Sequence, residues 1–420
     1  MRKLAYIAEV SSVTPIEGAD RLEQIMLKGH GWKIVTAKGD FSVGDLGVMF
    51  EIDSFLPIED ERYAFLKDRC LKKFVSKSGN VLREGIRIKT IKLRGVISQG
   101  LIMPLSAFVG KEILVDNNLA KPEGVVAEDG KPVSKEGLAG GPISTLYYNK
   151  EVVGEDGTTT TEKVEVGVGS DLTELLHVEH YDEVKEQLRP LSTQTGGGLC
   201  GDAMGSFPSA FIPKTDEERI QNLGDWFEKM KGRQWQVTCK HDGTSCTIAF
   251  SPSIDFDNPN VVCSRNLRLK RETAAGVVPI YWQIAERFSI LEKLSEALKG
   301  GKEYAVQGEI VGPGINGDRN KEKEATFKCF RIYDIAHQKF LNPNETVAFC
   351  KEFDIPHVDV IETDFPFFDK ITTMEEALKF AEGKTKEGNE REGVVCKTCD
   401  GGSYASFKIV SNKYLMKQED

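Results

Sequence analysis

The sequence predicts an α+β chain of two domains, the first built of strands and the second mixing strands with a few helices. Three observations predict it. Residues 1–115 carry short runs of strand-forming residues broken by turn signals. A stretch rich in glycine, serine and threonine at 192–202 reads as a linker. Beyond it, apolar strand-like runs alternate with segments of helical spacing. A length of 420 residues allows two or three domains, each with its own core. Hydrophobic content of 40% beside 29% charged residues suits a globular protein.

In the first domain, strands are expected at 4–10 and 22–27, on either side of the turn-prone stretch 15–20. Others are expected at 32–37 and 47–53, next to Lys38-Gly39-Asp40 and Val43-Gly44-Asp45. Residues 87–94 interleave basic and apolar side chains, which predicts Arg87, Lys89, Lys92 and Arg94 as a row of cations on one strand face. Short strands at this spacing suggest a small β-barrel, with an OB-fold as the natural candidate. Residues 118–142 read as a flexible insertion, β pattern returns over 144–170 around a turn at 154–157, and a short helix is expected from Asp171. The predicted boundaries are 1–190 for the first domain, 191–206 for the linker and 207–420 for the second domain. There, Thr215 and Glu218 form a capping box, so a helix should start near Thr215. A longer helix is expected over 278–298, stopped by Gly300 and Gly301. The sequence shows no internal repeat.

The longest apolar runs fall far short of the roughly 20 residues a membrane helix needs. Glu9 interrupts the opening segment too early for a signal-peptide core, and a cytoplasmic protein is expected. Nine cysteines in so long a chain are not a disulfide framework. Cys396 and Cys399 form a lone CxxC and read as reduced thiols. The net charge is −10, yet Lys67, Arg69, Lys72, Lys73, Lys77, Arg83 and the 87–94 row crowd one segment, and Arg265, Arg268, Lys270 and Arg271 form a second cluster. Such stripes suit a nucleic-acid track or a merely solvated face, and composition leaves the two nearly even.

Chemistry is carried by Lys240-His241-Asp242-Gly243 at the end of the apolar run 235–239. A Lys-x-Asp-Gly directly after a strand can form a covalent lysyl–nucleotide bond. Downstream, in order, come Ser264-Arg265-Asn266, Gln307-Gly308-Glu309-Ile310, the block 330–334 ending Tyr333-Asp334, the block 392–397 from Glu392 to Lys397, and Ser406-Phe407-Lys408-Ile409. Six blocks in this order resemble motifs I, Ia, III, IIIa, IV and V of the covalent nucleotidyltransferases, which include DNA ligases, RNA ligases and mRNA capping enzymes. Residues 307–316 are similar to the corresponding stretch of ATP-dependent RNA ligases. An OB-like region placed first resembles the Deinococcus-type RNA ligases, as do residues 92–102 and 211–223. The implied second domain is a nucleotidyltransferase domain of the ATP-grasp-like ligase adenylation type.

The resemblance implies a reaction in three steps. Lys240 takes AMP from ATP, AMP passes to an RNA 5′-phosphate, and a 3′-hydroxyl expels it, sealing a nick in an RNA-containing duplex, as in RNA repair. Lys240, Glu309, Glu392 and Lys408 would be catalytic. Asp242, Gly243, Arg265, Tyr333 and Lys397 would join them around the nucleotide, with Tyr333 stacking on the purine. Lys397 and Lys408 would help bias Lys240 towards the neutral amine. Asp242, Glu309 and Glu392 would hold Mg²⁺ or Mn²⁺ through water. Arg87, Lys89, Lys92 and Arg94 would meet the RNA, and the protein would act as a monomer without a membrane. RNA ligases commonly show Lys-x-Lys in motif V; here Val410 stands at the second position, and Lys413 is the nearest substitute. The rival readings are a DNA ligase or capping guanylyltransferase and, from another class, a non-catalytic RNA-binding protein.

Overall fold

The computed structural model describes residues 3–76, 78–115, 145–153, 158–184, 188, 203–273, 276–316, 322–386 and 388–417. The expected insertion at 118–142, the turn at 154–157, Lys77 and most of the expected linker lie outside them. The chain divides into two units, Met1–Gln194 and Thr195–Asp420.

In the first unit the long strand Ala5–Pro15 is central among the described strands of its sheet. Its first half pairs with Leu46–Phe50 and its second half with Leu22–Leu27, with a register shift between Val10 and Ser12. A shift of this kind bends a strand, so one segment serves two directions of pairing. Lys33–Ala37 and Leu101–Pro104 flank this sheet. Ser54–Leu56, Leu71–Val75, Val81–Arg87 and Glu179–His180 form another. Phe50, Tyr63, Ile86, Phe108 and Leu172 fill the core between them.

The expected row of cations does not form. Arg87 ends the strand Val81–Arg87, whereas Lys92 lies in the separate hairpin of Thr90–Leu93 and Val96–Gln99. Arg94 occupies that hairpin's turn with φ 48. Spacing explains the break: 87 and 89 share one parity and 92 and 94 the other, so a single strand would put them on opposite faces. Arg87 is held inside the unit, donating to Asp53 at 2.8 Å and lying 4.1 Å from the Tyr181 ring centroid. Two cations of the second basic cluster are also paired, although Lys270 and Arg271 are exposed. Arg268 pairs with Asp255 at 2.8 Å, and Arg271 with Glu286 at 2.6 Å. Asp171 bridges to Tyr6 and residues 173–177 form a turn rather than a helix, with the Thr173 hydroxyl accepting from the amides of Leu4 and Ala5.

The second unit stacks two sheets between helices. A sheet of seven described strands contains Thr244–Phe250, Tyr304–Val311 and Thr326–Asp334. A sheet of five contains Trp235–Lys240, Gly393–Thr398 and Ser406–Val410. Strand alternation gives each sheet an apolar outer face. Ile248, Val306 and Phe327 pack under the helices Ile280–Arg287 and Ile290–Lys299, and Val237, Val394 and Phe407 pack under Phe367, Phe368 and Ala377. The inner faces are left to polar residues, among them Gln236, Thr238, Gln307, Arg331 and Lys397, all buried.

Three expectations are corrected here. The helix expected over 278–298 is two helices, broken at Ser289 with φ 49; the break lets Trp282, Ile284, Ile290 and Leu294 all reach one core. No helix starts at Thr215. Glu218–Arg219 pairs in parallel with Phe407 and Lys408, followed by a 3₁₀ turn at Ile220–Asn222. The Glu218 carboxylate accepts from the Arg219 amide and Asn222 side chain, and Asp216 and Glu217 are drawn to distant cations, so tertiary contacts override the capping signal. Ala203–Ser206, inside the expected linker, pairs with the strand Leu267–Leu269.

Candidate functional site

Lys240 ends its strand opposite Gly393, so the residue before that glycine, Glu392, arrives beside it. Lys240 Nζ donates to Glu392 Oε1 at 2.6 Å. Glu309 comes from the facing sheet, and Asp242 from the turn after Lys240. Burial pushes the Lys240 ammonium down, but Glu392, Glu309 and Asp242 together outweigh it, and its pKa is raised. This corrects the expectation that neighbouring lysines would favour the neutral amine. Lys397 and Lys408 are engaged elsewhere, and in this state the carboxylates stabilise the charged form.

Glu309 shows the opposite balance. Burial is the largest influence and lifts its carboxyl to about 8; Lys240 opposes this, and Glu392 and Asp242 add to it. Its Oε2 and that of Glu392 are buried and lack a protein hydrogen-bond partner. Gly243 is required by the fold itself. A Cβ there would meet the Ile310 carbonyl at 2.5 Å and Glu309 Oε2 at 3.1 Å.

Lys408 and Arg265 converge on one carboxylate. Lys408 Nζ donates to Asp216 Oδ1 at 2.7 Å, and Arg265 stands 3.9 Å from Asp216 Oδ2. Lys397 is buried between the sheets, donating to the Phe330 carbonyl with its ammonium 5.2 Å from that ring. Burial and the Arg331 charge bring its pKa down to about 7. Tyr333 lies on the inner face but is buried, with Phe340 packed edge-on at 5.1 Å. Lys413 pairs with Glu390 at 3.0 Å, so the offered substitute for a second motif V lysine is turned to a carboxylate outside the set.

Several partners escaped the sequence reading. Asp216 and Glu217 sit where the capping signal predicts a helix start, yet Asp216 holds Lys408, and Glu217 accepts from Arg331 at 2.7 Å. Burial opposes ionisation of Glu217, but Arg331, Lys397 and Lys408 together keep its pKa low. Asp242 accepts from Tyr414 at 2.8 Å and from Asn316 at 3.1 Å. Only Asn316 had a signal, its place in the glycine-rich stretch after Glu309. Among the described residues no three His, Cys, Asp or Glu side chains are placed to hold one metal ion. The described cysteines, Cys396 and Cys399 included, are buried thiols.

A lysine ringed by acids, at the inner face of two facing sheets, is the layout of a ligase-type nucleotidyltransferase domain. Comparison with known proteins narrows the class. Residues 4–105 match an OB-fold domain family, and residues 233–410 match the RNA ligase family. A solved Naegleria gruberi RNA ligase with PPi is 32% identical with a TM-score of 0.70, and the match covers all of both chains. Mutants of that ligase solved with ATP and Mn, and with AMP and Mn, are each 31% identical, again over all of both chains with TM-scores of 0.70. No match was found among curated proteins. The chain belongs to the RNA ligase family, with an OB-fold domain ahead of its nucleotidyltransferase domain. No helix among the described residues is long and apolar enough to cross a membrane.

Proposed function

We propose that this ligase uses ATP to seal 3′-hydroxyl/5′-phosphate nicks in RNA-containing duplexes through a lysyl-AMP intermediate, in RNA repair. The observation that carries this reading is Lys240, hydrogen-bonded at 2.6 Å to Glu392, with Glu309 and Asp242 acting on its charge. Lys240 passes a proton to Glu392, and its nitrogen then forms a bond to the α-phosphorus as the bond to pyrophosphate breaks. Lys408 and Arg265 exchange Asp216 for phosphate oxygens, where their charge offsets what develops in the transition state. The AMP next moves to the RNA 5′-phosphate, freeing Lys240, and the 3′-hydroxyl displaces it. Structures of the Naegleria ligase with ATP, AMP and PPi support the nucleotide assignment.

The acids suit a hydrated divalent cation. Glu309 and Glu392 each present a buried oxygen with no protein partner, the condition that water on a metal relieves. Asp242, Glu309 and Glu392 would hold Mg²⁺ or Mn²⁺ through such waters, and the cation would offset charge on the α-phosphate. Tyr333 and Lys397 belong to the nucleotide site through the inner face they share with Arg331 and Gln307, and the base would have to displace Phe340 to reach the Tyr333 ring. Lys92 and Arg94, exposed in their hairpin, and the half-buried Lys89 meet the RNA backbone, while Arg87 supports the unit. The working state is a monomer in the cytoplasm.

The test is label transfer from α-labelled ATP, GTP or NAD to protein in Mg²⁺. We expect stable label from ATP, falling by about a thousandfold or more in Lys240→Ala, since loss of a nucleophile removes the covalent route. Label from GTP alone would make the protein a capping-type transferase. Absence of label from every donor, in folded protein free of bound AMP, would make it an RNA binder.

A further inference from the structure

Ser411 and the helix Asn412–Lys417, which follow the Lys408 strand, touch the acidic set at two places and a carboxylate beside it at a third. The Ser411 amide donates to the backbone carbonyl of Glu392 at 2.8 Å. Lys413 pairs with Glu390, two residues before Glu392, at 3.0 Å. The Tyr414 hydroxyl donates to Asp242 Oδ2 at 2.8 Å, across 172 residues of sequence. Tyr414 is 6% exposed, with its amide bonded to the Ser411 hydroxyl at 3.2 Å, so its ring is fixed by packing and by the start of its helix. From the opposite side, Asn316 donates to Asp242 Oδ1 at 3.1 Å and also to the Gly243 carbonyl.

A short carboxylate on a turn can rotate freely unless both oxygens are engaged. Here both are, by donors from elements that share no motif with Lys240. We propose that Tyr414 is a positioning residue: its hydroxyl fixes the Asp242 carboxylate in the orientation that the adenylylation step needs. In this role Tyr414 acts through Asp242. Ser411 applies the same logic to Glu392 through the backbone. Ser411 and the helix that follows motif V thus set two of the three acids, a role for residues 411–414 distinct from supplying a second phosphate-gripping cation. This rests on the lysyl-AMP reading above.

Tyr414→Phe keeps the ring and removes the donor. Losing one hydrogen bond to a carboxylate predicts about a tenfold slower single-turnover lysyl-AMP formation, with a raised half-saturation for Mg²⁺ and an unchanged melting temperature. In an Asp242→Asn background the same change should cost less than about twofold, because coupled residues are not additive. A second readout avoids turnover. In Lys240→Ala protein with ATP, free Mn²⁺ followed by electron paramagnetic resonance should show weaker Mn²⁺ retention on adding Tyr414→Phe, and no further weakening once Asp242 is Asn. An unchanged rate, or equal losses in both backgrounds, would overturn the proposal. Parent protein that takes no label would overturn the lysyl-AMP reading and this proposal with it, whereas a labelled parent with additive variants would sink only the positioning role.

Discussion

Glu309 is the residue whose pH behaviour most exposes the cost of the site. Its carboxyl sits near 4.5 in an unfolded chain and at about 8 in the fold, with burial the main cause. Between those values the folded chain keeps a proton that the unfolded chain has released. Its stabilising contribution is therefore complete below about pH 4.5 and lost as pH rises through about 8. Glu309→Gln should accordingly gain on the order of 1–2 kcal/mol over the parent at pH 8 and almost nothing at pH 4. Melting curves across pH read this directly, and a gain independent of pH would contradict the assignment. Lys240, Asp242, Glu309 and Glu392 were legible because each stands in a short block whose order carries information. Their partners were not. Tyr414, Asn316 and Asp216 reach the site across 172, 74 and 192 residues, and a single tyrosine or aspartate at such a distance leaves no local mark.

At the scale of elements, two neighbouring strands of the five-stranded sheet, Gly393–Thr398 and Ser406–Val410, are held close by glycine. At Gly393 a Cβ would lie 2.0 Å from the Ile409 carbonyl, a contact backbone cannot yield. Gly393→Ala should cost about 3 kcal/mol or more and lower the denaturation midpoint, because it forces apart the Glu392 and Lys408 strands. In the first unit, Arg87→Ala removes an ion pair and a ring contact and should cost roughly 1–3 kcal/mol of that unit's stability. Lys92→Ala should leave stability alone and lower the salt slope of RNA binding by about 0.7–0.9. Unchanged RNA affinity and salt slope in Lys92→Ala would remove this hairpin from the RNA contact. Alternation of cations and apolar residues suggested one strand over 87–94, but it could not reveal that Asp53 and Tyr181 claim the first of them. The helix expected at Thr215 failed for a related reason: Asp216 and Glu217 answer Lys408 and Arg331, not the local backbone.

For the whole molecule, all the residues assigned to lysyl-AMP formation lie in the second unit, and each unit has a core of its own. Residues 195–420 alone should still take label from ATP on Lys240, while joining RNA ends far less well than the full chain. Gel-based ligation beside label transfer separates the two steps, and loss of both would mean the second unit depends on the first. The distribution of sulfur offers a further use. Cys70 is a described cysteine of the first unit; Cys239, Cys246, Cys263, Cys329, Cys350, Cys396 and Cys399 are in the second, and every one is a buried thiol. With Cys200, which lies outside the described residues, replaced by serine, an alkylating reagent can reach these sulfurs only when the surrounding structure opens. Intact-mass spectra taken over time then become a clock for each unit separately: one added label marks opening of the first, and a jump of seven marks cooperative opening of the second.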